Sequence, residues 1–134
     1  MKFIPLIGRV LFSLIFLSSG IMGHLMMATQ TSAYAASAGV PVPMAAVVIS
    51  GIIALLGAFS VILGYKAKMG AWLIVIFLIP VTFMMHNFWT VTDPMQHVMQ
   101  MSLFMKNIGL LGGALMITYF GAGPISLDAR SQSK

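Results

Sequence analysis

Arg9 and Lys106 each interrupt a long apolar run of this 134-residue sequence. An ionisable group in such a run must find a counter-charge, lose its proton, bind a ligand or reach toward water, so each is a candidate for chemistry. His24, His86, Asn87, Asp93 and His97 stand at the ends of apolar runs or between them, and Asn107 follows Lys106 directly. No acid lies in the apolar run around Lys106. Lys106 and His86 therefore read as donors to a carbonyl or anionic oxygen, with Asn107, Asn87 and His24 in support. A lysine that snorkels past interfacial histidines is the plainer reading of the same residues. Arg9 is expected to pair with Asp128, clamping the C-terminal tail to the first span. An Arg9 head group among lipid phosphates is the alternative.

His24 and His86 form the one histidine pair that could hold haem b or a metal ion, with Asn87 or Thr82 orienting a ring. Without a repeated ligand motif, ordinary interfacial histidines explain the pair as well, and neither haem nor copper is assigned. The 13 methionines invite a Cu(I) reading, since thioethers suit soft metals. Helical spacing turns His97 away from Met95 and Met99, however, and methionine as adaptable packing accounts for the rest. There is no cysteine, so thiolate metal sites, iron–sulfur clusters and thiol redox chemistry are excluded for this chain. No serine–histidine–acid set, paired intramembrane carboxylates or phosphate loop is present. Hydrolysis and phosphoryl transfer have no support, and no catalytic residue is assigned.

Composition dictates what must position these groups. Only 7% of the residues are charged and mean hydropathy is +1.03. A small soluble domain has too much surface for so few ions, and a disordered chain is not this apolar. Residues 10–65, 69–92 and 107–127 carry no formal charge. A spanning helix needs about 20 apolar residues, so the first run holds two spans and the others one each. We expect an all-α integral membrane four-helix bundle, one domain over residues 1–134. Its spans fall at about 5–27, 43–65, 70–87 and 101–120, with a polar tail over 121–134. Asp93-Pro94 predicts a capped helix start, and the helix runs to Phe120, its first turns in the interface. Pro80 predicts a kink in the third span.

Lys2, Arg9, Lys66, Lys68, Arg130 and Lys134 all fall on one side of such a bundle. Positive residues stay inside, which predicts cytoplasmic N- and C-termini and outward connections at 28–42 and 88–100. The same rule explains the net charge of +5 without nucleic acid. Small and polar residues recur at helical spacing on three spans: Arg9, Ser13, Phe16, Gly20, Gly23 and His24; Ser50, Ala54, Gly57 and Gly64; Ser102, Lys106, Gly109 and Gly113. These stripes predict the seams where helices meet.

Several segments taken together resemble the DoxX family of small bacterial membrane proteins. They are Gly8-Arg9, Ser19-Gly20, residues 39–43, His86-Asn87-Phe88-Trp89, residues 105–113 and residues 121–128. The resemblance covers nearly the whole chain, although the acidic residue many relatives carry in the second span is missing here. It implies a four-helix, multi-pass protein of the bacterial inner membrane. It also implies an accessory subunit of a quinone-linked or oxidative-stress complex with a membrane or periplasmic redox partner, holding a quinone or a lipid head group in its outward half. A non-enzymatic scaffold or lipid-binding bundle, alone or as a homo-oligomer, is the alternative.

Overall fold

The computed structural model describes residues 1–132, and Lys134, one of the basic residues used above for topology, lies outside them. Helix α1 (Ile4–Ser18) starts with Pro5 in its first turn, where the missing N–H costs nothing. It runs on as a π-helical segment, Ser19–Met26. Helices α2 (Ala28–Ser37), α3 (Pro43–Leu63) and α4 (Ala67–Met85) follow. A 3₁₀ turn (Phe88–Thr90), α5 (Pro94–Phe120) and a short α6 (Leu127–Gln132) complete the chain. Four segments are long and apolar enough to cross a bilayer: Ile4–Met26, Pro43–Leu63, Ala67–Thr90 and Pro94–Phe120. The protein is an all-helical membrane bundle, and no strand occurs among the described residues.

The helices pack in a row: α1 on α3, α3 on α4, α4 on α5. The core of the row includes Phe16, Ala54, Ala58, Ile74, Leu78 and Ala114. Small residues allow its closest approach. A Cβ on Gly57 would lie 2.8 Å from the Gly70 carbonyl oxygen, so α3 and α4 touch backbone to backbone. The α1 and α5 helices stand at opposite ends of the row and share no broad face. The Phe12 ring of α1 lies against Gly113 of α5.

Three expectations need correction. The polar stretch after residue 27 contains a helix, α2, rather than a plain connection, and α2 packs on α3. The α-helical stripe predicted for the first span holds through Arg9, Ser13, Phe16 and Gly20, all buried, and then changes register. From Ser19 the bonding is π-type, seen where Met27 N–H donates to the Met22 carbonyl at 3.0 Å. In the fourth span the fully buried positions are Asn107 and Ala114, while Ser102, Lys106 and Gly109 are exposed. The reason is the open row: α5 has a neighbour on one side only, so its buried face is narrower than a closed bundle requires.

Candidate functional site

At the end of the row that carries Lys66 and Lys68, two helix termini and two charges meet. Helix α3 ends at Gly64, which takes the left-handed conformation (φ +63°). Its last carbonyls lack their α-helical i+4 donors, Val61 O taking from the backbone only Gly64 N–H at 3.1 Å, and form the negative end of the helix dipole. Arg9 donates to two of them, Val61 O at 3.2 Å and Ile62 O at 3.3 Å, and also to Ile125 O. Asp128 takes the other terminus. Its carboxylate accepts from the Lys66 and Ala67 backbone N–H groups at 2.7 and 3.0 Å, at the positive start of α4. The expected Arg9–Asp128 ion pair is therefore corrected. Among the described residues the two make no direct bond: Arg9 Nη1 and Nη2 go to backbone carbonyls, the Asp128 carboxylate goes to backbone amides, and Arg9 Nε is buried without a partner. The tail is still held to the first span, through Arg9 and the Ile125 carbonyl, and to the turn by Asp128 N–H on Gly64 O at 2.8 Å.

A cavity of about 460 Å³ occupies the other half of the bundle. Its walls come from the π segment, α2, α3, α4 and α5 and are mostly apolar, including Phe16, Phe77, Leu78 and Leu110. Four of the residues singled out in the sequence line it: His24, His86, Lys106 and Asn107. Asn87 does not. It opens the 3₁₀ turn, and its carbonyl accepts from Thr90 Oγ1 at 2.9 Å. The π segment sets one wall, since Ser19 and His24, five residues apart, both face the cavity as one π turn allows. Gly51 gives way to His24, because any Cβ there would collide with the histidine's own.

Each histidine is fixed by its Nδ1. His24 Nδ1 lies 3.0 Å from the Val47 carbonyl and 3.1 Å from Ser50 Oγ. With the proton on Nδ1 the ring donates to the Val47 carbonyl, and with it on Nε2 the ring accepts from Ser50 Oγ. His86 Nδ1 lies 2.9 Å from Gln100 Oε1. Tyr34 donates to Met85 O at 3.0 Å and accepts from Gln100 Nε2 at 3.1 Å. Thr31 also lines the cavity and ties α2 back over the π segment, donating to Gly23 O at 2.6 Å. Reading the sequence did not single out Tyr34, Thr31 or Gln100 as cavity groups. Their only signal was membership of polar stretches expected at the interface.

Lys106 and Asn107 behave differently. Asn107 is 5% exposed, and its carboxamide has no hydrogen-bond partner among the described residues. Lys106 is exposed at the α1–α5 edge and likewise meets no acceptor there. Asp93 cannot neutralise it. That carboxylate accepts from Gln96 N–H at 2.8 Å as the N-cap of α5, and 13 helical residues put it about 20 Å away. His97 is apart from the cavity, its Nδ1 beside Val91 O at 3.3 Å and its ring against Phe88. No cluster of three metal-ligating side chains occurs among the described residues.

A sequence model of the SURF4 family matches residues 1–133. The chain belongs to the SURF4 family. It is also similar to "Inner membrane protein YphA" of Escherichia coli (strain K12). That relative is 31% identical over 125 residues, 93% of this chain and 88% of the relative. No solved structure matches. This SURF4-family chain is a multi-pass inner-membrane protein. The match overturns the resemblance to DoxX proteins. Of the residues that carried that resemblance, Gly20 faces α3 closely, and Gly121 and Gly123 take positive-φ backbone after α5, roles many small bundles need. The expected redox partner came from that resemblance alone and has no residue of this chain behind it.

Proposed function

We propose that this SURF4-family protein binds a membrane-borne amphiphile in the cavity between its π segment and α5. The polar head lies against Asn107, Lys106 and His86, and the apolar tail leaves along the α1–α5 edge into the bilayer. One observation carries the reading: Asn107 is a buried residue whose carboxamide opens on the cavity and bonds to no described protein group. A ligand oxygen can accept from its NH₂ group there, and Lys106 adds a cation at the mouth. A quinone carbonyl and a lipid-head oxygen offer the same acceptor, and neither requires this chain to be catalytic.

Native mass spectrometry from native membranes separates the two by mass. We expect an adduct on the wild-type protein that Asn107→Leu reduces at least tenfold. A bare wild-type protein, or equal adducts on both, overturns the reading.

The basic residues further support cytoplasmic termini, which turn the cavity outward. The chain has no cysteine of its own, so single cysteines at Gln30 and Lys66 test this directly. An impermeant thiol reagent applied to right-side-out cells should label the first only.

A further inference from the structure

The hydrogen-bond chain behind His86 restricts what the cavity can hold. The Met85 carbonyl can only accept, so the Tyr34 proton is committed to it. The Tyr34 oxygen must then accept from Gln100, which turns the amide NH₂ toward Tyr34 and the amide oxygen toward His86. That oxygen also only accepts, so His86 Nδ1 donates to it, and a ring carrying that one proton has Nε2 as an acceptor. His86 thus offers the cavity an acceptor, while Lys106 offers only donors and Asn107 offers both.

We propose that the head group bound there carries a hydroxyl next to an anionic oxygen, as a phosphoglycerol head does. The hydroxyl donates to His86 Nε2, and the anionic oxygen accepts from Lys106 and the Asn107 NH₂ group. Gln100 and Tyr34 are positioning residues that act through the His86 tautomer. The inference rests on the amphiphile reading above and narrows its ligand to one chemical class. A fully oxidised quinone, which has no hydroxyl, satisfies Asn107 but leaves His86 Nε2 empty.

The experiment compares two lipids of equal charge and similar size, phosphatidylglycerol and phosphatidylpropanol, which lacks the hydroxyls. The full chain is presented with equimolar mixtures in phosphatidylcholine nanodiscs, and retained lipid is read by native mass spectrometry. An unmet buried acceptor corresponds to about a tenfold preference. We expect the wild type to favour phosphatidylglycerol by that factor. His86→Phe and Gln100→Leu should bring the ratio near one, and for Gln100→Leu, which does not touch the lipid, phosphatidylpropanol retention should stay at its wild-type level. Displacement by glycerol 3-phosphate at concentrations comparable to the lipid supports the head chemistry and assigns it a water-soluble source. No displacement supports it with a lipid source. Equal retention of the two lipids by the wild type overturns the hydroxyl assignment and leaves the amphiphile reading standing. No lipid retained by any variant overturns both. A metal adduct on the two histidines in place of lipid also overturns the assignment.

Discussion

Arg9 Nη1 fills the space that a side chain on Gly64 would need. The arginine reaches across from α1 to the end of α3, and the chain there turns through left-handed backbone at Gly64 (φ +63°) and Lys66 (φ +49°). A buried cation, a helix end and a tight turn thus share one small volume. Ser126 closes it from the tail side, since its Cβ would also collide with a Cβ on residue 64.

Gly64→Ala should therefore be strongly destabilising. The left-handed backbone alone costs about 1–2 kcal/mol for a residue with a Cβ, and overpacking adds about 1–3 kcal/mol. Gly109→Ala is the control, because a Cβ there meets nothing within 4 Å. Thermal unfolding in detergent should show a large loss for the first and none for the second.

Asp128 tests whether capping or ion pairing holds the tail. Because its two carboxylate oxygens each accept one N–H, from Lys66 and from Ala67, Asp128→Asn should lose one of the two bonds, since an amide NH₂ cannot accept, and Asp128→Ala should lose both, about 1 kcal/mol or more. A double-mutant cycle between Arg9→Gln and Asp128→Ala should give a coupling of about 0.5–1 kcal/mol, because the two groups hold one turn through separate bonds. Coupling of 2 kcal/mol or more would restore the ion pair.

Asn107→Leu should separate stability from binding. Leucine replaces a carboxamide that has no described protein partner with an apolar group of similar size, so the empty protein should lose no stability, whereas a leucine cannot donate to a ligand oxygen. The expected signature is a melting temperature at or above that of the wild type with loss of the retained amphiphile, the trade common at functional sites. A lower melting temperature would mean that the carboxamide has a structural partner.

Val42 sits in left-handed backbone (φ +45°) directly before Pro43, at the start of α3. A β-branched residue is strained there, and the position before proline disfavours helical backbone as well. Val42→Gly should raise the melting temperature, with a gain of up to about 1 kcal/mol after the entropy that glycine adds to the unfolded chain. The neighbouring Val40 and Pro41 line the cavity, so relief of the strain should also alter ligand retention.

Much of this protein is written in one dimension. Charge-free runs long enough to cross a bilayer determine four spanning helices, because a backbone in hydrocarbon must bond to itself. Asp93-Pro94 determines where α5 begins, and the cap forms as the residue types require. The inward positions of Arg9, Ser13, Phe16 and Gly20 follow from the helical period alone. His24, His86, Lys106 and Asn107 could be named from residue type, but their meeting around one cavity could not. It depends on the π segment that re-aims the first span, on α2 folding back over it, and on a row of helices left open between α1 and α5. The fate of Arg9 and Asp128 was likewise beyond the sequence. Opposite charges suggest each other on paper, but the folded hairpin offers each a nearer partner, the orphan carbonyls of one helix and the orphan amides of the next. Local bonding and solvent preference are properties of a segment, while a partner is chosen by distance, and only the tertiary structure sets distances.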